Sequence, residues 1–142
     1  MKKETLSDIA SFAYILLFSY AAMSKLFDMK LFHLQLKLQP FGPTLIPFIM
    51  WGVPVVELLI VSVLLIPRYK YLGLKLATGL MIIFTGYISI AELGVFKKIP
   101  CSCGGVISKL TWGQHLWFNL FFLVFGGVAL LLHYNKNRFK LN

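Results

Sequence analysis

LIPFIMWGVPVVELLIVSVLLI, residues 45–66, contains a single ionisable side chain, Glu57, in an otherwise apolar run. A helix crossing about 30 Å of hydrocarbon needs roughly 20 residues at about 1.5 Å each. In lipid such a run must also satisfy its own backbone polar groups, which a helix does. Residues 45–66 therefore read as a membrane-spanning helix. Working outward, three more runs of this kind occur at Ile9–Phe27, Leu72–Leu93 and Gln114–His133. The composition agrees: 58% of the 142 residues are apolar, 13% are charged and the mean hydropathy is +0.79. A soluble domain of this size would have more apolar surface than it could bury. The expectation is an all-α membrane protein, a four-helix bundle forming one integral membrane domain over residues 1–142, without repeats, low-complexity tracts or long linkers.

The first run also has features of a secretory leader, because Met1-Lys2-Lys3 precedes it and Ser19-Tyr20-Ala21 offers small residues at cleavage spacing. Glu4 and Asp8 dilute that basic start, so the run is read as a retained span. Four spans put both termini and the turn between spans 2 and 3 on one side, with Lys2, Lys3, Arg68, Lys70, Lys75, Lys136, Arg138 and Lys140. The other side has Lys25, Lys30, Lys37, Lys97, Lys98 and Lys109. Eight against six favours cytoplasmic termini and an outward-facing segment between spans 3 and 4, periplasmic in a bacterial inner membrane. Basic tails facing anionic lipid explain much of the net charge of +9, which calls for no nucleic-acid partner.

Between spans 1 and 2, residues 28–40 alternate polar and apolar from Phe32 onward, a pattern that by itself argues for a strand. An isolated strand at a membrane surface has no pairing partner. The segment is therefore read as an outer interfacial helix ending at Pro40-Phe41-Gly42-Pro43, a surface on which a partner can dock.

Both cysteines fall in Ile99-Pro100-Cys101-Ser102-Cys103-Gly104-Gly105, on the side expected to face outward. Outside the cytoplasm a thiol pair is prone to oxidation. At i, i+2 it can close only a very small ring, so such a disulfide is strained and readily reduced, which suits electron exchange better than stapling. Lys97, Lys98 and Lys109, with the start of the following helix, would favour a thiolate. Two other uses remain open: a purely structural role, and a metal site assembled from the thiolates with His33 and His115.

Past the cysteines, Thr111 is expected to cap the fourth span, with Gln114 three residues on completing a capping box. Trp112, His115 and Asn119 follow at i, i+3 and i+7 and share a face. Polar groups at that depth turn toward the bundle, where they tie helices together or, for His115, handle protons. Glu57 lies near the middle of its span, where a carboxyl is a functional candidate by default, with Pro54 loosening the backbone one turn earlier. Lys25 is a possible partner for Glu57, although it lies several residues closer to the surface. Glu92 is expected to be better placed to approach Lys25, His115 or the thiols. Tyr87 reads as packing. An aromatic-rich outer cavity able to take a quinone ring is compatible with the composition, as is ordinary packing.

Ser24-Lys25-Leu26, the outer segment containing Phe32, Pro54-Val55-Val56-Glu57-Leu58, and the Cys101/Cys103 segment ahead of Trp112–Asn119 together resemble the MauE branch of the DoxX-like membrane proteins. The resemblance spans nearly the whole chain. It implies a four-helix inner-membrane protein linked to thiol–disulfide chemistry, with Lys25, Glu57, Cys101 and Cys103 at positions that match the family's pattern. MauE itself belongs to methylamine utilisation clusters, where it is thought to help mature a disulfide-rich enzyme subunit alongside a thioredoxin-like protein. Its relatives occur far from that metabolism, so the substrate is not carried over. A looser likeness is to DsbB and the vitamin K epoxide reductases, which relay electrons to quinone through two cysteine pairs; this chain has one, and a relay would borrow the other from a partner.

The function expected from the sequence is thiol–disulfide exchange with a periplasmic thioredoxin-like partner, with Cys101, Cys103, His115, Glu92, Glu57 and Lys25 as site residues. The rival expectations are a non-catalytic accessory subunit in enzyme maturation and an outward Cys/His metal site. The oligomeric state and the direction of electron flow have no visible signature.

Overall fold

The computed structural model describes residues 2–94 and 111–140. These form five α-helices: α1 (Lys2–Phe27), α2 (Met29–Lys37), α3 (Ile46–Leu65), α4 (Lys70–Glu92) and α5 (Trp112–Lys140). No strand occurs among the described residues. Four helices, all but α2, are long and apolar enough to cross a membrane, and they coincide with the four runs read from the sequence. Around the bundle the order is α1, α3, α4, α5, with each packed on its two neighbours and α1 touching α4 across the middle.

The boundaries have local causes. Pro67 forces its predecessor out of helical geometry, so α3 ends at Leu65 and Ile66 is extended (φ −90°, ψ 112°). A single 3₁₀ turn at Pro67–Tyr69 then reverses the chain into α4. At the far end of α4, Gly94 adopts φ 74°, the left-handed conformation that glycine accepts past a helix C-terminus. The capping box foreseen for α5 is present: the Thr111 amide donates to Gln114 Oε1 (3.1 Å) and the Gln114 amide to Thr111 Oγ1 (3.3 Å).

The α2 segment is helical despite its alternating sequence. Asp28 caps it, accepting from the Leu31 amide at 3.0 Å, and Phe32, Gln35 and Leu36 turn inward at helical spacing. The alternating Leu34 and Leu38 consequently point away from the bundle. Phe32 and Leu36 pack with Ile46, docking α2 on the start of α3.

The core is built from helical stripes, including Ala10, Tyr14 and Phe18 on α1, Ile60, Val61 and Leu64 on α3, and Leu74, Ala77 and Met81 on α4. Lipid is as apolar as these side chains, so close packing and shared hydrogen bonds hold the helices together. A Cβ on Gly73 would come within 2.8 Å of Leu64 Cδ2, which shows how closely α3 and α4 meet near their turn. Tyr14 donates to the Phe122 carbonyl at 2.8 Å, with Thr78 Oγ1 3.4 Å away, tying α1 to α5 beside α4. Outward-facing Phe12, Leu16, Leu59 and Leu131 form the greasy perimeter expected of a chain solvated by lipid.

One end of the bundle carries the start of α1 and the α3–α4 turn. There Asp8 pairs with Lys70 at 2.5 Å and Tyr71 stacks on His133 with ring centroids 3.3 Å apart. The opposite end carries α2, the end of α4 and the start of α5. Glu92 lies beside Gly113 there, 3.4 Å from where a Cβ would be, so the two anchors of the segment between α4 and α5 meet at that end.

Candidate functional site

Lys25 and Glu57 form a buried ion pair. Lys25 Nζ is 2.9 Å from Glu57 Oε1 and 3.2 Å from Oε2, and the side chains are 6% and 1% exposed. The difference in depth that separates the two residues in the sequence is bridged by the lysine stem. Side chains on a helix lean toward its N-terminus, and Lys25 reaches back one turn to bond the Ala21 carbonyl at 3.2 Å, which carries its ammonium inward. All three of its donors are then used. Pro54, buried one turn before Glu57, leaves the Met50 carbonyl without its usual helix donor. A charge this deep is tolerated because it is paired and hydrogen-bonded.

The pair forms part of the wall of a cavity of about 310 Å³. Phe18 and Ala21 of α1, Val53 of α3 and Met81 and Phe84 of α4 contribute apolar wall. Phe32 and Leu36 of α2 cover it, together with Phe41 from the connection to α3. Phe41 stacks on Tyr87 (centroids 5.9 Å apart, planes 21°), and the Tyr87 hydroxyl donates to Gln39 Oε1, so α4 helps hold this cover in place. His115 and Asn119, one turn apart on α5, both line the cavity and are both buried. Their inward orientation is the one expected from their depth. The arrangement offers a mainly apolar, aromatic-rich chamber with an internally neutralised charge pair and a carboxamide.

Several expectations need correction. Glu92 does not line the chamber and is not the partner of Lys25, because the lysine leans inward to Glu57 while α4 carries Glu92 past the chamber to Gly113. Tyr87 is more than packing: it lines the chamber and braces its cover through Gln39. The sequence reading also passed over Gln39 and Phe41, whose only signal was their position next to Pro40, where the chain must turn back over the bundle. His33 does not join His115 in the wall. Among the described residues, which do not include the two cysteines of the metal alternative, no three of His, Cys, Asp and Glu come together. Cys101, Cys103, Lys97, Lys98 and Lys109 lie outside the described residues, as does the Trp112 side chain.

Comparison with curated proteins and with solved structures gives no match. Comparison with known families matches residues 3–132 to the family described as methylamine utilisation protein MauE. That match takes in α1 to α4 and most of α5, including Lys25, Glu57, His115, Asn119 and both cysteines. A match over this much of the length shows that the chain belongs to the MauE family.

Proposed function

We propose that this protein exchanges thiols and disulfides at the non-cytosolic face of a bacterial inner membrane, with Cys101 and Cys103 as the exchanging pair and a thioredoxin-like domain as partner. The observation that carries the reading is the placement of the only two cysteines, one residue apart, on the segment whose anchors meet beside Glu92 and Gly113, at the end of the bundle that holds the Lys25–Glu57 chamber. Membership of the MauE family supports it.

The chemistry balances within the two proteins. The Cys101 thiolate attacks one sulfur of the partner's disulfide, and the partner's second sulfur leaves as a thiolate. The Cys103 thiolate then attacks Cys101 and releases the partner as a dithiol, leaving Cys101–Cys103 oxidised. Two electrons pass to the partner, and the reverse sequence returns them. His115 takes the thiol proton and gives it back to the departing sulfur, and a thiolate near the start of α5 gains from the positive end of that helix. Lys25 and Glu57 hold α1 against α3 beneath this region, and Glu92 sits at the segment's anchor. These roles position the exchanging groups.

Replacing Cys103 with serine leaves Cys101 without its resolving sulfur, so a thioredoxin-like protein should accumulate as a reductant-sensitive adduct in cells carrying Cys103→Ser. An impermeant maleimide should label Cys101 from the non-cytosolic side. Absence of the adduct, together with a Cys101/Cys103 pair whose oxidation state does not respond to added thioredoxin-like protein, would sink the proposal, as would labelling from the cytosol alone.

A further inference from the structure

We propose that the chamber beside Lys25 and Glu57 binds the ring of a lipid-soluble quinone, with Asn119 as its hydrogen-bonding partner. This goes beyond thiol exchange, because it requires neither cysteine.

Asn119 is only 4% exposed and lines the chamber, and its side chain makes no hydrogen bond among the described residues. A carboxamide held in a chamber wall without a protein partner is available to bond a ligand there. Charge narrows what that ligand is. The ammonium of Lys25 spends its three donors on Glu57 and the Ala21 carbonyl, so among the described lining residues no lysine or arginine is left for an anionic headgroup, which would also face the Glu57 carboxylate. The occupant is therefore neutral.

The walls narrow it further. Phe18, Phe32, Phe41, Phe84, Tyr87 and Phe118 surround the space, and aromatic side chains favour a flat ring that can stack among them. A volume of about 310 Å³ is at the small end of ligand sites, enough for a ring system but not for a whole lipid. The way in faces the bilayer: Ile83 lines the chamber and is still 66% exposed, in a bundle whose perimeter is apolar. A long apolar tail would leave past Ile83 into lipid. Asn119 also suits both oxidation states of such a ring, since its NH₂ donates to a quinone carbonyl and its oxygen accepts from a quinol hydroxyl.

The test uses the full chain carrying Cys101→Ser and Cys103→Ser in lipid nanodiscs, so that its outcome is separate from that of thiol exchange. Decylubiquinone and menadione are titrated, with binding read by equilibrium dialysis and thermal shift and with oleate as the anionic competitor. The expected result is saturable binding of at least one quinone, weakened about tenfold by Asn119→Leu and abolished by Ala21→Leu or Val53→Phe, which fill the space from two different helices. Phe12→Ala on the lipid-facing surface should leave binding unchanged, and circular dichroism confirms that each variant is folded. No saturable binding by the parent, equal binding in all folded variants, or displacement by oleate at the same concentration as unlabelled quinone would each overturn the proposal.

Discussion

The Lys25–Glu57 pair makes a quantitative prediction about stability. At 2.9 Å, and with an effective dielectric constant near 20, the attraction between the charges is about 6 kcal/mol. Much of it is offset by the cost of removing both groups from water. Taking away one partner therefore does not simply remove the net worth of the bond; it leaves the other charge stranded. Lys25→Met and Glu57→Leu should each cost about 3–5 kcal/mol. The double variant Lys25→Met/Glu57→Leu replaces both with apolar side chains of similar size and should lie within about 1 kcal/mol of the parent, or above it. The resulting non-additivity is about 5 kcal/mol or more, well beyond what residues out of contact show. Reversible unfolding in mixed micelles, followed by far-UV circular dichroism, measures all four corners of the cycle. If either single variant stays within about 1 kcal/mol of the parent, or if the double variant is worse than both singles, the pair is not sealed from water as the structure has it.

Three further outcomes follow from local geometry. Gly126→Ala should destabilise the bundle by about 1–3 kcal/mol in the same unfolding assay, because the new Cβ would overlap the Tyr14 hydroxyl and come within 2.8 Å of Thr78 Oγ1; Tyr14→Phe should restore only part of the loss, since Tyr14 Cζ would still be 2.7 Å away. Asp28→Ala removes the cap that accepts from the Leu31 amide and should weaken α2 by about 1 kcal/mol, seen as faster hydrogen exchange in residues 29–37 with α1 and α3 unchanged. Tyr87→Phe deletes the bond to Gln39 and should cost about 1 kcal/mol, with faster proteolysis of the connection between α2 and α3 as its readout.

What could be read from the sequence was local. Residues 45–66 identify themselves as a span because crossing lipid imposes one length and one composition on any helix. The Thr111–Gln114 capping box forms from residues three apart, and the inward orientation of His115 and Asn119 follows from their spacing and depth. Even the α2 helix was readable once the alternation of Phe32 and Leu34 was weighed against the lack of any strand to pair with.

The site itself depended on contacts between helices. Lys25 meets Glu57 across 32 positions and Tyr87 meets Gln39 across 48, and each meeting depends on how far one helix is rotated and slid against another. Hydropathy does not encode that registry, because lipid solvates every apolar face equally well. Sequence alone thus determined a lipid-embedded bundle of four spans and which polar groups must turn inward. Only the tertiary packing of α1, α3, α4 and α5, under the cover of α2, decided that those groups would enclose a chamber and that its lysine would be neutralised from within.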